Sequence, residues 1–121
     1  MGIYTHKMFE RITPKDIIAI NQRFDTGRVV NEGSLGYALD EANSSRSWLR
    51  SCAILVRAVL LDHAFEEGNK RTAAAIIVSF FEEQSLSYEP EKVARGVVRI
   101  LLKNTASLKA IEGVILDAAI R

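Results

Sequence analysis

Hydrophobic residues recur at helical spacing along most of the chain, and this pattern predicts an all-α fold. The most apolar stretch predicts a long helix from about Ser45 to about Phe65, which carries apolar side chains on more than one face. A second apolar helix is predicted from near Asn69 through Phe81. Helices that are apolar on several faces usually lie at the centre of a bundle, so we expect these two helices to be the central pair.

Shorter amphipathic helices are predicted before the central pair. Thr13 and Pro14 indicate a helix start, because Thr can accept a hydrogen bond from the first turn and Pro lacks an N–H that would be unpaired there. This helix is expected to run through Phe24 and to end before residues 25–33, which read as a loop with a short extended piece at 28–30. A short helix should follow from Ser34 to about 42, with Leu35, Ala38 and Leu39 inward.

Two further helices are predicted after the central pair. One begins at Pro90, and its apolar face consists of Val93, Val97, Val98, Leu101 and Leu102. The last is expected to be capped by Ser107. The pattern therefore predicts a single domain over residues 1–121, an all-α bundle of five to six helices with a loop between the two central helices.

Composition narrows the class of protein. The chain has 121 residues, 48% of them hydrophobic, and its net charge of +1 argues against a nucleic-acid binder that works by bulk positive charge. The single cysteine, Cys52, cannot form an internal disulfide, and a reducing compartment is therefore expected. The longest apolar run, from Ala73 to Val78, is too short to span a membrane, and the N-terminus carries no apolar signal stretch. We expect a cytoplasmic protein without membrane contacts.

Charges between the central helices are placed against the local electrostatic preference. If the first central helix extends to Phe65, acids at Asp62, Glu66 and Glu67 lie near its C-terminus, where cations are favoured. The second helix has Lys70 and Arg71 in its first turn, where acids are favoured. Local rules fail most often at functional sites. An anionic group on the second helix, with a cation beside the acids, would account for both; a phosphate chain with a divalent metal supplies them.

The start of the second helix has the features of a phosphate site. Backbone N–H groups at a helix N-terminus are unpaired and form an anion site. Gly68 allows a positive φ or a close backbone approach, and Asn69 can cap the helix or bond to a phosphate oxygen. Lys70 and Arg71 add positive charge where the phosphates would lie.

Two side chains before this helix start suit catalysis. Glu67 is a candidate Mg²⁺ ligand, because Mg²⁺ is commonly held by one or two carboxylates together with substrate phosphates and water. His63 follows the apolar positions 52, 56 and 59 at helical spacing and is therefore expected to face the same junction. An imidazole is a suitable general base for a hydroxyl nucleophile.

Each of these residues also has an ordinary interpretation. A histidine at the end of a buried helix is often a capping or core residue, Lys-Arg after a loop is usually a solvated face, and Gly68-Asn69 alone is a common turn. Phe65, at helical spacing from positions 54, 58 and 61, is expected to anchor the loop to the core. The segment does not match the P-loop motif, because position 63 is His where the first glycine would be. The functional interpretation depends on their joint occurrence within eleven residues.

The segment resembles the signature of the Fic/Doc family, His-x-Phe-x-Asp/Glu-Gly/Ala-Asn-Gly/Lys-Arg. The residues that meet it are His63, Phe65, Glu67, Gly68, Asn69, Lys70 and Arg71. Residues 12–18 and 32–39 are similar to the first and second helices of Doc-type proteins, so the resemblance covers most of the chain. It implies ATP as substrate and Mg²⁺ as cofactor, with His63 as the base for a Ser or Thr hydroxyl of a target protein. It also implies that Glu67 holds Mg²⁺, that Gly68, Asn69, Lys70 and Arg71 hold the nucleotide phosphates, and that Phe65 is structural.

Two positions favour the Doc branch of this family. Adenylylating Fic enzymes carry a second Gly where this chain has Lys70, and many carry a further Arg where it has Ala74. Doc proteins transfer the γ-phosphate of ATP to a protein instead. The resemblance therefore implies a toxin with protein kinase activity, a target such as the translation elongation factor Tu, and a separate antitoxin protein that folds on binding.

Three alternatives remain beside this interpretation. Fic-type transfer of AMP is the first, and a nucleotide-binding or interaction module without catalysis is the second. A metal-dependent phosphohydrolase is disfavoured, since one helix junction supplies too few ligands for a two-metal site. The nearest approach to the inhibitory Ser/Thr-x-x-x-Glu-Gly/Asn motif of other Fic proteins runs from Ser107 to Gly113 and is one residue too long. The last helix is therefore expected to be structural.

Overall fold

The computed structural model describes residues 11–120, and the fold there is all-helical, as predicted. The N-terminal stretch on which the signal-peptide expectation rests lies outside these residues. Residues 11–120 form six helices, which are α1 (Pro14–Asn21), α2 (Glu32–Ser44), α3 (Trp48–Leu60), α4 (Asn69–Glu83), α5 (Pro90–Lys103) and α6 (Leu108–Asp117). Extended structure within residues 11–120 is limited to two isolated antiparallel bridges, Val29 with Phe65 and Tyr88 with Ala119.

Helix starts follow the capping chemistry that the sequence predicts. The Thr13 hydroxyl accepts a hydrogen bond from the backbone N–H of Asp16, and the Asp16 carboxylate accepts one from the Thr13 N–H at 2.8 Å. Ser107 caps α6 by accepting from the N–H of Ala110, and Pro90 is the first residue of α5. The reciprocal cap at Thr13 and the single cap at Ser107 satisfy N–H groups that the helix itself leaves unpaired, and Pro90 has no N–H to satisfy.

The two central helices of the prediction are the centre of the bundle. Helix α3 packs against α2, α4 and α6, and α4 packs in addition against α1 and α5. The largest fully buried side chains include Phe80 and Phe81 of α4 and Leu55 and Val56 of α3. The junction of α3 and α4, where the sequence predicts a site, therefore joins two helices that are largely buried.

Helix ends differ from the prediction. Helix α1 ends at Asn21 instead of continuing to Phe24, and α2 extends beyond the predicted Ser34–42 at both ends. Helix α3 ends at Leu60, five residues before the predicted end at Phe65. The reason lies in non-local contacts: the backbone at Phe65 pairs with Val29, and a residue in an antiparallel bridge cannot also be helical.

The predicted apolar face of α5 is wrong at two positions. Val93 and Val97 are buried, but Val98 is 42% exposed and Leu102 is 80% exposed. Gly96 allows α5 to pack closely against α6, because a Cβ atom at this position would lie 2.8 Å from Val114 Cγ1. This close approach turns the line of residues 93, 97 and 100 toward the bundle and leaves Val98 and Leu102 at the surface.

Two structural findings bear on the composition: one concerns the length and polarity of the helices, and the other concerns the single cysteine. No helix within residues 11–120 is long and apolar enough to cross a membrane. Cys52 is fully buried in α3, and this burial raises the pKa of its thiol. Because the thiolate is the reactive form, Cys52 is an inert core residue.

Candidate functional site at the junction of α3 and α4

The junction is a loop, and its conformation is what exposes His63. Residue 63 has a φ of +50° and an exposed side chain. From the sequence, His63 is expected to lie in line with the apolar positions 52, 56 and 59 of one helix. This spacing does not hold in the structure, because α3 ends at Leu60 and residue 63 belongs to the loop. Phe65 is 0% exposed, so the expectation that it anchors the loop is confirmed, although the loop conformation and not helical spacing buries it.

The loop is held by an extended segment that precedes α2. The Val30 N–H donates to the Ala64 carbonyl at 2.8 Å, and the Glu66 N–H donates to the Arg28 carbonyl at 3.0 Å. The short extended piece predicted at residues 28–30 is thus present, and it pairs with the junction. Two antiparallel hydrogen bonds fix the register of the loop between His63 and Glu67 against the rest of the fold.

Asn69 closes the loop on itself. Its Nδ2 donates to the Phe65 carbonyl at 2.8 Å, and its Oδ1 accepts from the Phe65 N–H at 3.1 Å. The sequence left open whether Asn69 caps α4 or bonds to a phosphate oxygen. It does not cap α4, because Gly68 occupies the N-cap position and Asn69 is the first helical residue. Its amide instead ties the helix start to the buried Phe65.

Gly68 is required by its backbone conformation. Its φ is +78°, which confirms the sequence-based expectation of a positive φ. A Cβ at this position would lie 3.0 Å from Asn21 Nδ2 and 3.3 Å from Asp25 Cβ. The residue therefore combines a left-handed turn with a close approach to two other side chains, and both conditions favour glycine.

Replacing Gly68 by alanine is expected to destabilise the protein by about 1–2 kcal/mol, the cost of a left-handed conformation for a residue with a Cβ. Urea unfolding followed by circular dichroism measures the change. Gly36 is the matched control: it lies inside α2 with nothing within 4 Å of a Cβ, so Gly36→Ala should stabilise by about 0.5–1 kcal/mol. Equal effects of the two substitutions would contradict the strain assigned to Gly68.

The first turn of α4 presents unpaired donors and positive charge. Within residues 11–120, the backbone N–H groups of Asn69, Lys70 and Arg71 have no hydrogen-bond acceptor. This turn contains no acid, and the side chains of Lys70 and Arg71 are exposed. Because the helix dipole adds positive potential here, the turn is suited to an anion.

The acidic half of the charge argument is wrong. Helix α3 ends at Leu60 with Arg57 in its last turn, which is the favoured arrangement. Glu66 and Glu67 lie in the loop, and Glu66 forms an ion pair with Arg28 at 3.8 Å. The misplacement of charge is therefore confined to Lys70 and Arg71.

The carboxylate of Glu67 is exposed and has no ion-pair or hydrogen-bond partner among the described residues. No group of three or more His, Cys, Asp or Glu side chains that could hold a metal ion occurs within residues 11–120. One carboxylate fits a Mg²⁺ ion that takes its other ligands from substrate phosphates and water.

A buried amide that sequence reasoning missed supports the helix start from below. Asn21, the last residue of α1, is 0% exposed. Its Nδ2 donates to the Glu67 carbonyl at 3.0 Å and to Thr72 Oγ1 at 2.9 Å, and its Oδ1 accepts from the Gly27 N–H at 2.8 Å. A signal was present: Asn21 follows Ile17 by four positions and so occupies the apolar face of α1.

Asn31 has a similar role on the other side of the loop. Its Oδ1 caps α2 by accepting from the Ser34 N–H, and its Nδ2 donates to the carbonyl of Asp62 at 2.8 Å. Asp62 directly precedes His63, so this hydrogen bond fixes the start of the turn that exposes the imidazole.

The site lies on an open surface. A groove of about 210 Å³ between α2 and α3 borders the loop and is lined by Tyr37, Ala58 and Asp62 among others. None of three grooves formed by residues 11–120 is lined by His63 or by the first turn of α4.

Comparisons with protein-family models, characterised proteins and solved structures give no match. The functional interpretation therefore depends on the residues of the junction and their geometry.

Proposed function

We propose that this protein is a nucleotide-dependent transferase of the Doc type, a kinase that moves the γ-phosphate of ATP to a Ser or Thr hydroxyl of a target protein. The observation that carries the proposal is a division among residues 63–71 between groups that hold the loop together and side chains that are exposed. Uncharged groups build the loop, whereas the side chains of His63, Glu67, Lys70 and Arg71 are exposed and form no hydrogen bond or ion pair with each other or with the remaining described residues.

This division argues against a purely structural role for the segment. If Lys70 and Arg71 stabilised the fold, they would be paired with acids, but they lie where the helix dipole disfavours them. The paired charges nearby, Arg28 and Glu66, show that the same loop can form ion pairs. Unpaired charges around a set of backbone donors are typical of a site for a charged ligand.

The proposed reaction assigns each group a task. The triphosphate lies against the N–H groups of Asn69–Arg71 and the cations of Lys70 and Arg71. His63 accepts the proton of the target hydroxyl as its oxygen bonds to the γ-phosphorus, and the bond from that phosphorus to the bridging oxygen breaks to release ADP. Mg²⁺ on Glu67 would neutralise charge on the phosphates. Positioning and charge stabilisation supply most of the rate enhancement.

Transfer of AMP at the same site is the second candidate. Lys70 and Ala74 favour γ-phosphate transfer, since the resemblance associates AMP transfer with Gly and Arg at these positions. A non-catalytic nucleotide-binding module is the third candidate. It differs from both enzymes in predicting ATP binding without any modified protein.

ATP labelled at the α or the γ position separates these candidates. Purified elongation factor Tu, the target that the resemblance suggests, is incubated with the protein, Mg²⁺ and each labelled ATP, and the mass added to the target is measured. Label from the γ position and the mass of one phosphate are expected. Label from the α position with the mass of an adenylate would replace the kinase by an adenylyltransferase. Transfer of neither label would count against elongation factor Tu as the target.

Restraint by a separate antitoxin and a cytoplasmic location are parts of the same proposal. An inhibitory role of α6 is not needed to explain Glu112, because its carboxylate accepts from Arg50 Nε at 3.1 Å in a partly buried ion pair. This contact supports a structural role for the last helix. We therefore propose a separate partner protein, and not the last helix, as the source of inhibition.

Magnesium and ATP are expected to stabilise the protein only together. Millimolar Mg²⁺–ATP should raise the midpoint of thermal unfolding, because a ligand that binds only the folded state adds to its stability. Mg²⁺ alone should leave the midpoint unchanged, since Glu67 is a single protein ligand. Differential scanning fluorimetry with ATP, Mg²⁺, both, and both with excess EDTA measures this. A shift with Mg²⁺ alone would indicate a metal site that the junction does not explain.

A further inference from the structure

The geometry points to Asn21 as a positioning residue for the phosphate site: its buried amide sets the backbone of residues 67–72, so that the free N–H groups at the start of α4 converge on a phosphate. This inference rests on the proposed function. It extends the site to α1, which contributes no residue to the signature segment.

Asn21 joins three parts of the chain through one side chain. Both protons of its amide nitrogen are used, one for the Glu67 carbonyl and one for the Thr72 hydroxyl, and its oxygen holds the Gly27 N–H. Thr72 and Asn21 are each 0% exposed, so water cannot replace these hydrogen bonds. Buried polar groups that lose their partner carry the full cost of desolvation.

The two donor contacts lie on either side of the proposed phosphate site. Glu67 immediately precedes Gly68, and Thr72 immediately follows Arg71. The Thr72 N–H donates to the Gly68 carbonyl at 2.9 Å, which closes the first turn of α4 between these two points. The directions of the three free N–H groups at 69–71 are therefore fixed at both ends by the same amide.

Gly68 and Asn21 are matched to each other. The position that a Cβ of residue 68 would take lies 3.0 Å from Asn21 Nδ2, so the amide packs directly beneath the left-handed turn. The Gly27 contact extends the arrangement to the segment that pairs with the loop at Ala64 and Glu66. Asn21 thus holds both the phosphate turn and the segment beside it.

Asn43 provides a matched control. It is also an amide that ties two segments together, with its Oδ1 accepting from the Ile12 N–H and its Nδ2 donating to the Ile12 carbonyl, each at 2.8 Å. Both residues are replaced by alanine, and the affinity for Mg²⁺–ATP is measured by calorimetry beside the unfolding free energy. Asn21→Asp is added because it keeps the size of the side chain and the acceptor for Gly27 while removing the donor.

Both alanine variants should be less stable, but only the changes at position 21 should weaken ATP binding, by roughly 10- to 100-fold. Asn43→Ala should leave the affinity within about twofold, as expected for independent sites. If Asn21→Ala does not fold, the backbone amide resonances of Asn69, Lys70 and Arg71 in Asn21→Asp, measured without ATP, decide, because the new carboxylate lowers the affinity for an anion in any case. Loss of affinity no greater than that of the control would overturn the positioning role.

Amide resonances keep this inference separate from the proposed function. If the unaltered protein binds no Mg²⁺–ATP, the proposed function fails. The positioning claim is then decided by the backbone amide resonances of Asn69, Lys70 and Arg71. Their displacement in the Asn21 variants but not in Asn43→Ala supports it, and unchanged resonances overturn it.

Discussion

Replacing His63 by asparagine is expected to lower the rate of transfer to the target by about 10²- to 10⁴-fold, the usual contribution of a general base. The affinity for Mg²⁺–ATP should stay within about twofold, because the phosphates are held by the start of α4 and independent sites rarely couple more strongly. Asparagine is chosen because residue 63 has a φ of +50°, a conformation that Asn tolerates better than most residues.

Asp62→Asn is the matched control for this experiment. Asp62 is the exposed neighbour of His63, and its contact with Asn31 uses the backbone carbonyl, which the substitution keeps. It should leave both transfer and ATP affinity unchanged. Initial rates of label transfer and binding isotherms give the two quantities. Unaltered transfer by His63→Asn would remove this residue from the mechanism, and equal losses in both variants would assign the effect to the turn.

The double substitution of Lys70 and Arg71 by alanine should act on binding and stability with opposite signs. The affinity for Mg²⁺–ATP should fall by about 100-fold, since each charge-assisted hydrogen bond to a phosphate contributes on the order of 1.5 kcal/mol. The free energy of unfolding should rise by a few tenths of a kcal/mol, because two cations leave the positive end of a helix dipole. A structural role would make both quantities fall.

Lys109 is a close control for this result. It is the second residue of α6, as Lys70 is the second residue of α4, and both first turns lack acids. Lys109→Ala should therefore raise stability slightly without any change in ATP affinity. Chemical denaturation and calorimetry on the three proteins test the comparison. An equal loss of affinity in Lys109→Ala would show that net charge, and not the junction, governs binding.

Features set by local chemistry were predictable from the sequence. The caps at Thr13 and Ser107 and the proline at position 90 mark helix starts through hydrogen bonds or φ restrictions within one turn. The positive φ of Gly68 follows from the same kind of local reasoning. These interactions involve residues close in sequence, so a pattern of residue types is enough to locate them.

Features set by distant segments were not predictable in this way. The end of α3 depends on the pairing of Phe65 with Val29 and on the bond from Asn31 to the Asp62 carbonyl, both of which join residues far apart in the chain. The apolar spacing predicted a helix through His63, because the loop residues continue the same spacing. The exposure of His63 is therefore a tertiary effect.

The residues of the candidate site could be proposed from the sequence, but the residues that hold the junction in place could not. The exposed residues of the junction belong to one contiguous motif, whereas Asn21 lies in another helix and shows only as a polar residue on an apolar face. A buried amide at such a position can serve a core, a cap or a loop. Only the fold specifies that its partners are Glu67, Thr72 and Gly27.

The most direct test of the account is a crystal structure of the protein with Mg²⁺ and a non-hydrolysable ATP analogue. The account predicts phosphate oxygens against the N–H groups of Asn69–Arg71, Mg²⁺ between Glu67 and the phosphates, and the terminal phosphate toward His63. An α-phosphate toward His63 would favour AMP transfer. A nucleotide bound elsewhere, or none at the start of α4, would contradict the central claim that this junction is a triphosphate site.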